Sequence, residues 1–262
     1  MKNRLLLALL AAALFAPALA PADDTAPDSS SLTAANRLLA AYAAVPALSC
    51  DIQRVSPLPD GRSLRTLSRV LYQAPDRLHS ETVSPLHRRS VSDGTTFRQY
   101  IEGMNKGFSA PVAELPEFML INLRQLPGSN ANLLSPLANL PETPLRPDDS
   151  SASRYAYDAP SGARTVLSFD ADGRWIALDV YPSPTSTDLL AHSAFSDFLE
   201  IAPGTYLPRH QETLVKLPDG NATETVRISN VNTSPDLPAS AFDPDAFFPG
   251  VTFTSSFDDI HP

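Results

Sequence analysis

Five histidines, one cysteine and many serines and carboxylates are the residues of this chain that could do chemistry. His79, His87, His192, His210 and His261 form neither an H-E-x-x-H nor an H-x-H pattern, and Cys50 has no second thiolate to join it. Metal sites need convergent ligands at tight spacing, so no metal site and no cofactor are assigned. No G-x-S-x-G elbow or S-x-x-K box frames a serine nucleophile; a Ser/His/Asp triad drawn from distant residues stays open. Asp148-Asp149 and Asp258-Asp259 lie in polar segments and read as solvated charge rather than a glycosidase pair. There is no Gly-rich phosphate loop. Asn221-Ala-Thr and Asn232-Thr-Ser match the glycosylation pattern, which is common by chance. No residue is assigned a catalytic role.

The elements that would have to position such residues begin after an export signal. Lys2 and Arg4 precede an apolar run from Leu5 to Phe15, followed by the small residues Ala18-Leu19-Ala20 and Ala20-Pro21-Ala22. That run is too short to span a bilayer, so residues 1–22 read as a cleaved signal peptide, with the cut after Ala22. No later apolar run approaches the ~20 residues of a spanning helix. Cleavage takes two of the 20 basic residues and leaves 29 acidic ones, without any Lys/Arg cluster denser than Arg88-Arg89. A phosphate backbone would be repelled, so nucleic acid is not expected as a partner. With Cys50 alone there is no internal disulfide, and the fold must rest on a hydrophobic core.

Residues 23–31, "DDTAPDSSS" with its flanking turn residues, have nothing to bury and read as a disordered leader. Next, "LTAANRLLAAYAAV" places Leu32, Ala35, Leu39 and Tyr42 at helical spacing, with Ser31 or Thr33 as cap and Pro46 as stop. After it the apolar period becomes two. Asp60-Gly61, Asp93-Gly94, Asp172-Gly173 and Asp219-Gly220 each separate alternating segments, the strongest short-range hairpin signal. The spacing therefore predicts an α+β fold, mainly antiparallel β. Its inward face carries Val70, Tyr72, Leu78, Phe97, Ile101, Leu167, Phe169, Ile176 and Leu178, and its outward face Arg69, His79, Glu81 and Arg98. "APVAELPEFMLINLRQLPGS" at 110–129 groups apolar residues as a helix would, and 127–153, rich in proline and leucine, reads as a short helix plus irregular loop rather than a strand. A one-sided sheet must be covered, and these helices are the expected covers. The domain is expected to span 32–254, with 255–262 as a tail.

Certain stretches resemble a known family. They are "ALSCDIQRV" after the opening helix, "RVLYQAPDRLHSETVSPLHRRSVSDGTTFRQY" at 69–100, "FSDFLEIAPGTYLPRH" at 195–210 and "VRISNVNTSPDLPASAFDPDAFFPG" at 226–250. Together they resemble the LolA/LolB-like superfamily of exported lipoprotein carriers. The resemblance implies an unclosed antiparallel β-barrel whose concave apolar face is roofed by helices, with a lipid or lipoprotein acyl chain held between. It implies a periplasmic, non-catalytic carrier, monomeric, working with an envelope membrane protein. By position the cavity wall would be Val70, Tyr72, Leu78, Phe97, Ile101, Leu167, Phe169, Ile176 and Leu178, and the roof Phe118, Met119, Ile121 and Leu123. The alternative on the same fold is a protein-interaction or sensor module whose interior is filled by its own side chains. The lipoprotein carriers place an arginine directly before the Pro of "x-P-x", as a latch for the lid; this chain has Ala74 there.

Overall fold

The computed structural model describes residues 32–58, 61–145, 153–217 and 220–262. The expected signal peptide and leader, and parts of two Asp-Gly turns, lie outside these. Helix α1 (Ala34–Ala43) opens the fold. Of the two expected caps it uses Thr33, whose hydroxyl accepts from the Asn36 amide at 3.2 Å, and it ends before Pro46.

Five hairpin-linked strands follow: β1 (Ala47–Pro57), β2 (Ser63–Gln73), β3 (Arg77–Ser84), β4 (Arg88–Asp93) and β5 (Thr96–Ile101), with β6 (Gly107–Pro111) beyond them. Helix α2 (Glu117–Arg124) and the one-turn α3 (Ala131–Leu134) form a crossover. The chain then returns through β7 (Glu142–Leu145), β8 (Ser153–Asp158), β9 (Arg164–Phe169), β10 (Trp175–Tyr181), β11 (Ala191–Ala202), β12 (Thr205–Leu217) and β13 (Gly220–Asn232). A two-residue strand, β14 (Phe253–Thr254), comes last. The order across the sheet is β14-β6-β5-β4-β3-β2-β1-β13-β12-β11-β10-β9-β8-β7, and the two ends do not meet. This is an unclosed antiparallel barrel made of two meanders. The first runs outward from β1 to β6, and the second runs inward from β7 to β13, which pairs with β1.

All four Asp-Gly dipeptides fall between paired strands. At Gly94 the reason is direct: φ is +93°, a conformation that glycine adopts without steric cost. The Asp93 carboxylate accepts from the Thr95 and Thr96 amides at 2.7 and 2.8 Å.

Two apolar clusters occupy the concave side. The larger joins α1 (Ala35, Tyr42) and the crossover (Leu126, Leu134, Leu137) to sheet residues Leu48, Val70, Tyr72, Tyr157, Leu167, Trp175, Phe195 and Leu207. The smaller joins Phe97, Phe108, Ala110, Val112, Leu115 and Leu123.

Four expectations are corrected. The 127–153 segment does contain a strand, β7; it sits at the sheet edge, where Pro144 need not donate to a ladder. The helix in 110–129 is shorter than the pattern suggests. It begins after Pro116 and ends at Gln125, before Leu126-Pro127, as a following proline disfavours helix in the residue before it. Residues 255–262 are not a free tail: Phe257 stacks on Phe108 at 4.1 Å, and Ile260 packs on the smaller cluster. His79 is not in solvent. The segment after β13 crosses the convex face of β3–β5, and the Ala241 carbonyl lies 2.9 Å from His79 Nδ1.

That C-terminal strap is anchored throughout. Phe242 and Phe248 are buried, the Phe247 ring packs at a tilt against His79 with centroids 4.4 Å apart, and the Arg89 guanidinium lies over the Phe247 ring. Arg98 covers Phe253 and pairs with Asp245. Gly107 makes room for Phe253, because a Cβ there would stand 2.6 Å from the ring.

Candidate functional site

The hollow of the sheet is occupied by the protein's own residues. Tyr72 (1 % exposed), Leu167 (0 %) and Leu134 (0 %) are sealed inside the larger cluster. Three tyrosine hydroxyls close it where strands meet helices. Tyr72 donates to the Arg124 carbonyl at 3.0 Å, Tyr42 donates to the Tyr206 carbonyl at 3.0 Å, and Tyr157 donates to the Glu142 carboxylate. Tyr157 also accepts from the Ala35 amide at 3.0 Å, and Glu142 from the Ala34 amide, which satisfies the first turn of α1. Burial raises all three phenol pKa values above the ordinary range. Burial likewise pushes the Cys50 thiol up to about 12, so it is an inert core residue.

What stays open is a groove of about 380 Å³ between the helices. Its walls are Leu39, Tyr42 and Ala43 from α1, Leu120 and Ile121 from α2, and Leu126 and Ala131 from the crossover. Glu117, Arg124, Gln125 and Ser135 form its polar margin. The volume falls within the range of small-molecule sites, about 300–1,000 Å³. One end is pinned by an ion pair: Arg124 donates from Nε and Nη2 to the two carboxylate oxygens of Asp76, at 2.7 and 3.3 Å. Asp76 lies in the β2–β3 turn. In this pair the cation is on α2 and the anion is on the barrel.

Of the thirteen residues expected to line a cavity, Ile121 alone lines this groove. Val70, Tyr72, Leu167, Phe169 and Leu178 belong to the larger cluster, Phe97 and Leu123 to the smaller, and Leu78 packs against both. Met119 packs on the smaller cluster, while Ile101, at the end of β5, is half-buried and belongs to neither. Phe118 is 63 % exposed. Ile176 is half-buried because the register shifts between Trp175 and Ala177; this irregularity puts Trp175 into the core instead. Leu39, Tyr42 and Leu120 were legible as helix residues, but nothing in their spacing distinguishes a groove wall from a core face.

Among the described residues, no helix is long and apolar enough to cross a membrane. No group of three or more His, Cys, Asp or Glu residues among them could hold a metal ion.

No family model and no curated protein matches this sequence. The likeness is to solved structures. A LolA superfamily protein from Nitrosomonas europaea superposes with a TM-score of 0.50 at 12 % identity, over 81 % of this chain and 99 % of that one. The fold is that of a LolA superfamily protein. A candidate outer membrane lipoprotein-sorting protein domain from Vibrio parahaemolyticus has a TM-score of 0.48 at 12 % identity, over 81 % of this chain and 96 % of that one. A DUF1329 family protein from Desulfovibrio piger also scores 0.48, at 13 % identity over 82 % and 96 %. Within this LolA-like fold, the groove lies among the helices that cover the sheet.

Proposed function

We propose that this chain is an exported, periplasmic binding protein that holds an acyl chain, of a lipid or a lipoprotein, in the groove between α1, α2 and the crossover. The groove itself carries the reading: about 380 Å³ walled by Leu39, Leu120, Ile121 and Leu126, on the roofed side of an open barrel. Each methylene buried there contributes about 0.8 kcal/mol, so a partly inserted chain gains several kcal/mol with no catalyst needed. The role is non-catalytic, and delivery to or from an envelope membrane protein is its natural context.

The test is uptake of a fluorescent fatty acid by the mature protein, with Ile121→Asp and Leu39→Asp as groove variants. Saturable uptake lost in both variants, with an unchanged circular dichroism spectrum, is the expected result. Absence of uptake by the wild-type protein would overturn the reading.

A second reading has an observation of its own. The sheet's hollow is filled by Tyr42, Tyr72, Leu134, Leu137 and Trp175, as an interaction or sensor module that reads a partner protein would require. Absent uptake, together with capture of an envelope protein through the exposed α2 face around Phe118, would favour it.

A further inference from the structure

We propose that the groove selects an anionic single-chain amphiphile, whose headgroup takes the place of Asp76 on Arg124 while its chain lies along Leu39 and Ile121. This rests on the acyl-chain reading above and names the class of ligand. Arg124 is the one cation among the described residues that line the groove, and its side chain is 52 % exposed where it reaches the groove mouth. Its fork is already arranged for a planar or tetrahedral anion: Nε and Nη2 hold the two oxygens of Asp76, and Nη1 carries two further N–H donors. A carboxylate or phosphate headgroup offers the same oxygens that Asp76 supplies. Exchange therefore keeps the guanidinium satisfied and cuts the tie between α2 and the β2–β3 turn.

One feature orients the guest, and another leaves its recognition to a single side chain. Glu117 lines the groove two turns away, roughly 10 Å along the helix axis, and repels a headgroup placed at that end. The C-terminus of α2 carries the negative end of its dipole, so no backbone field there attracts an anion. Recognition falls on the Arg124 side chain, which makes it testable by substitution.

The experiment measures displacement of the neutral probe aminoanthracene from the mature protein by dodecanoic acid, dodecyl phosphate, dodecanol and dodecyltrimethylammonium. The acid or the phosphate is expected to compete about tenfold better than the alcohol, and their relative strength tells which headgroup fits. Arg124→Gln is expected to erase that advantage and leave dodecanol unchanged. Arg124→Lys, keeping the charge without the fork, retains part of it. Asp76→Asn, removing the internal competitor, widens it, and this variant leaves Arg124 intact should the first fail to fold. Equal competition by acid and alcohol in the wild type, or an equal loss of both in Arg124→Gln, overturns the headgroup assignment while leaving the acyl-chain reading standing. Failure of the probe and of all four amphiphiles to bind overturns both.

Discussion

The two apolar clusters on the concave side are built from the same materials and finished differently. Over the larger cluster the contact is sealed: Leu48, Leu134, Leu167 and Leu207 are completely buried, and the hydroxyls of Tyr42, Tyr72 and Tyr157 are each bonded, that of Tyr72 to the last residue of α2. Under α2 the seal is partial. Leu123 alone of that helix is buried; Met119, Leu120 and Ile121 are half-buried, and Phe118 faces outward. The difference is one of closure: the larger cluster is shut by hydrogen bonds, and the groove runs between its Tyr42 and Leu126 and the half-buried Leu120 and Ile121 of α2.

The comparison breaks most readily at its sealed side. Leu134→Ala is expected to cost about 2–5 kcal/mol, because a fully packed side chain leaves a cavity that its neighbours cannot fill; urea denaturation reads the loss. Gly128→Ala is expected to destabilise too, by less: its φ of +79° is unsuited to alanine, and the added Cβ would stand 2.1 Å from Ile228 Cδ1, which must turn aside. On the other side, Phe118→Ser is expected to leave the denaturation midpoint within about 0.5 kcal/mol of wild type, as surface changes generally do. Equal losses at Leu134 and Phe118 would abolish the distinction.

The strap on the convex face sharpens it by pH. Burial lowers the His79 pKa below the ordinary 6.5, against the opposing hydrogen bond to Ala241, with Arg89 lowering it further and Glu81 raising it. Around it, Glu81 is held below its usual range first by His87 and then by Arg89; Arg98, Asp243 and Asp245 complete the charged surroundings. The folded state thus favours neutral His79. Its stability contribution is present above 6.5 and is lost as pH falls from there through the lower folded value. His79→Gln is expected to flatten the stability profile in that window, leaving the losses from the carboxylates held below their usual range, Glu81, Asp158 and Asp170, at more acid pH. A small, salt-sensitive effect belongs to Asp158→Asn, which removes a surface pair with Arg164 at 2.7 Å. About 0.2–1 kcal/mol is expected, shrinking with added salt.

Much of this was written in the sequence. The Asp-Gly turns and period-two alternation gave the hairpins, and Thr33 and Pro46 bounded α1. What escaped was whatever depended on contacts distant in the chain. Trp175 replaced Ile176 in the core because one irregular residue reverses strand parity, and alternation carries no mark of it. His79 and Arg98 read as outward-facing because nothing local announces a strap arriving from beyond residue 232. The groove between the helices was not legible for a related reason. An apolar strand face looks the same whether a guest or the protein's own α1 and α3 lies on it, so residues of the filled interior were taken for a cavity wall.

The crossover bearing α2 and α3 is tied at both ends, to β6 on one margin of the barrel and to β7 on the other. A band fastened at two shores can bow but cannot swing away like a flap. On the acyl-chain proposal, a guest therefore enters lengthwise beneath the band, which favours slender cargo over bulky.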